Sequence, residues 1–212
     1  MAIYPENKNF LIESIKENLY TIDYCVNYDK SIAQDWIGES KLGCLGIPAF
    51  ILICSLIDTI GSYFRNSQSL IQIDNVSYKI EKASDHFFIL NHDKFFNLDL
   101  KMTTIMDFYS TYRSKIVHNT TLPENSFLDI GRNEDRIFQL DKEGKIIKLN
   151  IIPLFEKTKS SFEYFIYILE NMTFSSEHTV NLELIEKRKT HDPSAPNNTS
   201  NPAASGFTES HF

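Results

Sequence analysis

An arginine and a histidine five positions apart, Arg113 and His118 in the stretch YSTYRSKIVHN (residues 109–119), are the pair in this sequence best suited to chemistry on an anion. A guanidinium keeps its charge at physiological pH, and its planar fork fits the oxygens of a phosphate. An imidazole exchanges protons near neutrality, and a helix C-terminus favours its charged form. Together they offer charge stabilisation and proton transfer with no metal and no cofactor.

The stretch reads as the end of a helix, and the helix decides what the two side chains can reach. At about 100° per residue, Tyr112, Ile105, Ile116, Tyr109, Met102, Arg113 and Met106 share one face about 120° wide. That puts Arg113 on the packing side. His118 falls about 140° away from it, among Thr103, Asp107, Thr111 and Ser114 on the polar side. One regular helix therefore cannot aim both groups at one point, so either the helix end distorts or a second chain supplies one of them.

An arginine on a packing face needs a partner. From Pro48 to Arg65 the sequence is apolar nearly all round, with Ser55, Asp58 and Ser62 as polar exceptions on one side. A carboxylate there is costly unless paired, and Arg113 is the expected partner, with serine or backbone donors as alternatives. Removing Arg113 would then orphan Asp58 at a cost of about 3–5 kcal/mol. The plainer reading of the same residues is a structural Asp58–Arg113 ion pair and a surface His118.

Composition narrows the classes. The net charge of −7 argues against a broad basic surface that coats nucleic acid, though a local cationic site is compatible with it. Cys25, Cys44 and Cys54 are odd in number and lack metal-ligand spacing, so neither a disulfide framework nor a zinc site is expected. His86 and His92 have no Cys or carboxylate at zinc spacing. The cysteine pattern fits a reducing cytoplasm, the expected location, and the opening residues MAIYPENKNF lack the pattern of a secretory leader. The apolar run from Leu42 to Ile57 is interrupted by Pro48 and followed by Asp58, which suits a buried core helix better than a membrane span. Gly-rich phosphate loops, Gly-x-Ser-x-Gly elbows and His-Glu-x-x-His pairs are missing from the sequence.

The elements that must position these residues follow from periodicity. Leu11, Ile15, Leu19, Ile22 and Val26 predict an amphipathic helix over about 8–34, and Gly38 to Gly46 a connection. Further helices are expected over about 48–65 and 99–118, and from Pro153 onward with Phe155, Phe162, Ile166 and Leu169 inward. Residues 70–80 read as a short hairpin turning at Asp74-Asn75, and Ser84 as the cap of a short helix through Phe87, Phe88 and Phe95. The period changes to that of strands over 127–150, with Lys142 to Gly144 as a turn. The expected fold is mainly α: a four-helix, up-and-down-type bundle with a small β excursion, forming a single domain over 1–174. A flexible tail rich in Ser, Pro and Asn follows over 175–212, in which 180–189 could form a marginal helix.

Four main helices with Arg-x-x-x-x-His late in the third resemble the HEPN family, the higher eukaryotes and prokaryotes nucleotide-binding domain. The matching residues are Arg113, His118 and the following Asn119, preceded by the tyrosine-rich turn from Asp107 to Tyr112. Ser114 stands where the family usually has Asn, Asp or His directly after the arginine. The resemblance implies a homodimer that brings two copies of the motif to a shared cleft. It implies metal-independent cleavage of RNA, as in toxins and anti-phage defence effectors, often beside a nucleotidyltransferase-type antitoxin. In that setting Arg113 and His118 would be catalytic, with Asp58, Asn119, Ser114, Tyr109 and Tyr112 in support. Other members have lost catalysis and serve as binding or dimerisation modules, which is the alternative for this chain.

Overall fold

Residues 5–32, 36, 43–65, 69–119 and 121–171 are described by the computed structural model. The expected tail over 175–212 lies outside them, as does most of the connection expected over 38–46. Helix α1 (Pro5–Asn27) buries Ile12, Ile15, Ile22, Cys25 and Val26. It ends at Asn27, well before the expected position near 34. Just beyond it, the Asp29 carboxylate accepts hydrogen bonds from Ser31 N at 2.9 Å and Ser31 Oγ at 2.6 Å. Such a local turn competes with continuation of the helix.

Helix α2 (Gly46–Tyr63) is the central element. It packs against α1, against the last helix α5 (Ile151–Asn171) and against a 3-10 helix, Ala83–Asn91. Packing on three sides explains why it is apolar nearly all round. By length and composition alone α2 could cross a membrane, yet Phe50, Ile53, Ile57 and Ile60 are fully buried within the protein. The helix begins two residues before Pro48, which falls in the first turn, where no backbone N–H is needed.

The 3-10 helix is held at its start by the Asp85 carboxylate, which accepts from the backbone N–H groups of Lys82 at 3.1 Å and Glu81 at 3.3 Å. Ser84, the expected cap, instead gives its hydroxyl to Asp85 at 3.2 Å. Strands β1 (Ile71–Ile73) and β2 (Val76–Tyr78) precede it as an antiparallel hairpin. Asp74 and Asn75 form its two-residue turn, both at positive φ, 51° and 63°.

Three segments run on without leaving helical dihedrals: α3 (Met102–Asp107), a π-helical turn (Phe108–Arg113) and α4 (Ser114–Asn119). A second sheet clamps this rod. Its strands β3 (Phe127–Asp129), β4 (Phe138–Leu140) and β5 (Ile146–Asn150) lie in the order β3-β5-β4, with β3 parallel and β4 antiparallel to β5. Asp107 Oδ2 accepts from Ile146 N at 2.7 Å, and Tyr112 OH donates to Ile146 O at 3.0 Å. Thr104 Oγ1 donates to Gly144 O at 2.7 Å.

These tethers rotate the rod relative to the sequence expectation. Its buried residues are Thr104, Ile105, Phe108, Tyr112 and Ile116, whereas Met106 is exposed. A satisfied hydroxyl at Thr104 lets a polar residue point inward. Arg113 consequently sits at the edge of the buried stripe, not within it. Among the described residues the architecture is mainly helical with two small sheets. Helices α1, α2 and α5 pack on one another, and the rod meets them through α2, where the rings of Phe50 and Phe108 lie edge to face at 5.8 Å.

Candidate functional site

Asp58 lies in the C-terminal half of α2, about one-third exposed, and Arg113 closes the π turn with a quarter of its side chain exposed. Arg113 Nη2 stands 3.9 Å from Asp58 Oδ2. This is an ion pair by distance but too long for a hydrogen bond. The guanidinium also lies over the ring of Tyr109, 5.5 Å from its centroid, a cation–π contact that fixes its approach. Tyr109 is in turn braced edge to face by Phe87 at 5.5 Å.

The closest partner of Asp58 is a residue the sequence did not single out for this role. His86, on the 3-10 helix, places Nδ1 2.8 Å from Asp58 Oδ1 with only 8% of its side chain exposed. A carboxylate oxygen this close requires the proton on Nδ1, so the imidazole donates and Asp58 accepts. Its Nε2 is buried with no hydrogen-bond partner among the described residues. The contact depends on Gly61, three residues beyond Asp58. A Cβ there would lie 2.6 Å from His86 Cα and run into the His86 carbonyl oxygen. Glycine thus lets the backbone carrying His86 come within reach of Asp58.

Cys54, one helical turn before Asp58, is buried under the same cluster. Burial pushes its thiol well above the ordinary range, while the nearby Arg113 charge opposes that rise and Asp58 adds to it. It is therefore held as a neutral thiol and not as a nucleophile.

The remaining sequence-derived residues divide clearly. Tyr112 belongs to the core: it is fully buried and its hydroxyl donates to Ile146 O. Ser114 is half-buried beside Arg113. His118 and Asn119 are exposed in the last turn of α4, and neither side chain has a hydrogen bond or ion pair among the described residues. Since α4 is regular from Ser114, Arg113 and His118 remain on different faces of the rod. One chain brings together Asp58, His86, Arg113 and Tyr109, and leaves His118 and Asn119 apart from them.

A cavity of about 370 Å³ opens beneath the last turn of α4, lined by Lys30, Cys44, Ile47, Ile116, Leu122 and Ile151 among others. Neither Arg113 nor His118 lines it. Among the described residues, no group of three or more His, Cys, Asp or Glu is placed to hold a metal ion. Comparison of the chain with protein-family models, with curated proteins and with solved structures returned no match.

Proposed function

We propose that this chain is a metal-independent endoribonuclease of HEPN type, a toxin or anti-phage defence effector that cleaves RNA in a cleft formed by two copies of the chain. The observation that carries the reading is the state of Arg113. It is charged, partly exposed, braced by Tyr109 and only loosely held by Asp58, with an exposed His118, unengaged among the described residues, five positions on. A structural arginine is normally consumed by its partner, whereas this one keeps donors for an incoming anion. On this reading α1, α2, the 102–119 rod and α5 are the four helices of the bundle. Val117, one turn beyond Arg113, and Met106 give the rod exposed apolar surface for a second copy.

In such a cleft His118 takes the proton from the ribose 2′-hydroxyl as its oxygen attacks phosphorus, and the bond to the 5′-oxygen breaks. A water molecule in the cleft protonates that leaving oxygen, so each site needs one His118 and one Arg113. The guanidinium of Arg113 neutralises charge on the phosphate oxygens in the transition state. Asn119 is available to orient the phosphate or His118, and Ser114 lies beside the arginine. Action in the cytoplasm, with a nucleotidyltransferase-type antitoxin as partner, belongs to the same reading.

A second reading has an observation of its own. The tight contact in the cluster is Asp58–His86, a partly buried bond within the fold. It would equally serve a non-catalytic binding or dimerisation module in which Arg113 merely completes a network. Incubating the purified chain with RNA in EDTA separates the two. The nuclease reading requires cleavage that disappears in Arg113→Ala and in His118→Ala while both variants stay folded. Intact RNA favours the binding module.

A further inference from the structure

His86 has a place in the structure that neither catalysis nor simple core filling explains. Its Nε2 is sealed from solvent, so it cannot exchange a proton with a substrate. A histidine that only filled space would be better replaced by an apolar ring, because a buried unpaired nitrogen carries a desolvation cost. Three apolar neighbours on the same helix, Phe87, Phe88 and Ile89, fill the core beside it without that cost. What His86 does contribute is one short, directional hydrogen bond to Asp58 Oδ1.

Resting on the nuclease reading of Arg113, we propose that His86 is a positioning residue: it clamps Asp58 through Nδ1–H so that Arg113 can leave the carboxylate for a phosphate of RNA. The two oxygens of Asp58 divide the work. Oδ1 is taken by His86 at 2.8 Å, and Oδ2 faces Arg113 at 3.9 Å. If Arg113 were the only partner, moving it onto a phosphate would strand a partly buried carboxylate, and that penalty would lock the guanidinium in place. With His86 bonded, the carboxylate keeps a partner throughout, and its orientation is fixed so that it cannot close on Arg113 to make a bidentate pair. Gly61 supports this by allowing the close approach of the His86 backbone. Tyr109 gives the released guanidinium a surface to pivot on.

The test uses two variants that differ only in where a donor sits. His86→Asn keeps an amide N–H near the position of Nδ1, whereas His86→Gln moves it toward the position of Nε2. Binding of a single-stranded oligoribonucleotide is followed by fluorescence anisotropy in EDTA, alongside cleavage and thermal melting. The expected result is near-native binding by His86→Asn and affinity weakened about tenfold by His86→Gln, the order of one charge-assisted hydrogen bond. Adding Asp58→Asn to His86→Gln removes the carboxylate that captures Arg113 and should restore binding. A purely structural role predicts that the second substitution adds damage.

Equal behaviour of the Asn and Gln variants, or no restoration by Asp58→Asn, overturns the positioning role while leaving the nuclease reading standing. Wild-type protein that neither binds nor cleaves the oligoribonucleotide overturns both.

Discussion

Asp58 is bonded more closely to His86 than to Arg113: 2.8 Å to the imidazole Nδ1 against 3.9 Å to the guanidinium Nη2. The partly buried carboxylate of α2 therefore has a partner from the 3-10 helix as well as the one from the 102–119 rod. Losing Arg113 does not orphan it. The cost of about 3–5 kcal/mol expected from the sequence for removing Arg113 should shrink accordingly.

Double-mutant cycles by urea denaturation should show this ordering. The Asp58–His86 coupling is expected near 2 kcal/mol, as for a hydrogen bond to a charged group. The Asp58–Arg113 coupling should stay below about 1 kcal/mol, because the pair is long and partly solvated. A larger coupling to Arg113 than to His86 would contradict the geometry.

Gly61→Ala should be among the most damaging small substitutions in α2. The added methyl meets His86 backbone atoms, which cannot move aside as a side chain can. A loss of about 2–3 kcal/mol is expected from forced overpacking. An NMR spectrum should also show the His86–Asp58 hydrogen bond weakened. A variant as stable as wild type would mean the two helices are not in such close contact.

Tyr112 supplies a pH dependence. Burial, with a smaller contribution from Asp107, pushes its phenol up to about 12, against opposing contacts from Ser126 and Phe127. The unfolded phenol ionises near pH 10, so between pH 10 and about 12 the folded state holds the extra proton. Stability must then fall as pH rises through that window, by about 2 kcal/mol in all. Tyr112→Phe should lose about 1 kcal/mol at neutral pH, from its bond to Ile146 O, and should lack this alkaline decline. Identical alkaline profiles for the two proteins would show that Tyr112 is not the group responsible.

His118→Ala should leave stability within about 0.5 kcal/mol of wild type, since an exposed side chain without partners among the described residues has little to lose. Thermal melting gives the answer. A large loss would mean that His118 makes contacts within the folded protein, and any effect on activity would then be indirect.

Much of this arrangement is legible in the sequence because it rests on short-range rules. The apolar spacing of Ile15, Ile22 and Val26 marks α1, and Asp74-Asn75 marks the hairpin turn, since both residues tolerate positive φ. The link from Asp58 to Arg113 is legible too, because a carboxylate in an apolar helix demands a cation. His86 is not. It lies 28 residues from Asp58 in a 3-10 helix, and nothing in a helical period points from one to the other. The available signal was Gly61, whose missing side chain marks a close backbone approach one turn from the carboxylate. The rotation of the 102–119 rod escaped for a similar reason. A wheel of constant period does not register a π turn, nor that Thr104 turns inward to bond Gly144 O. The parallel pairing of β3 with β5 joins segments separated by β4, and local pattern carries no information about partners across such a distance.

Because Arg113 and His118 face different ways within one chain, the central claim is best tested by mixing two inactive proteins. Arg113→Ala and His118→Ala are each assayed for RNA cleavage in EDTA, then combined under conditions that allow subunits to exchange. If the cleft draws its arginine from one copy and its histidine from the other, half the dimers are mixed and each carries one intact site. Activity should return to roughly a quarter of the wild-type rate. Wild-type protein that leaves RNA intact, or cleavage that survives loss of Arg113 or His118, would contradict the account.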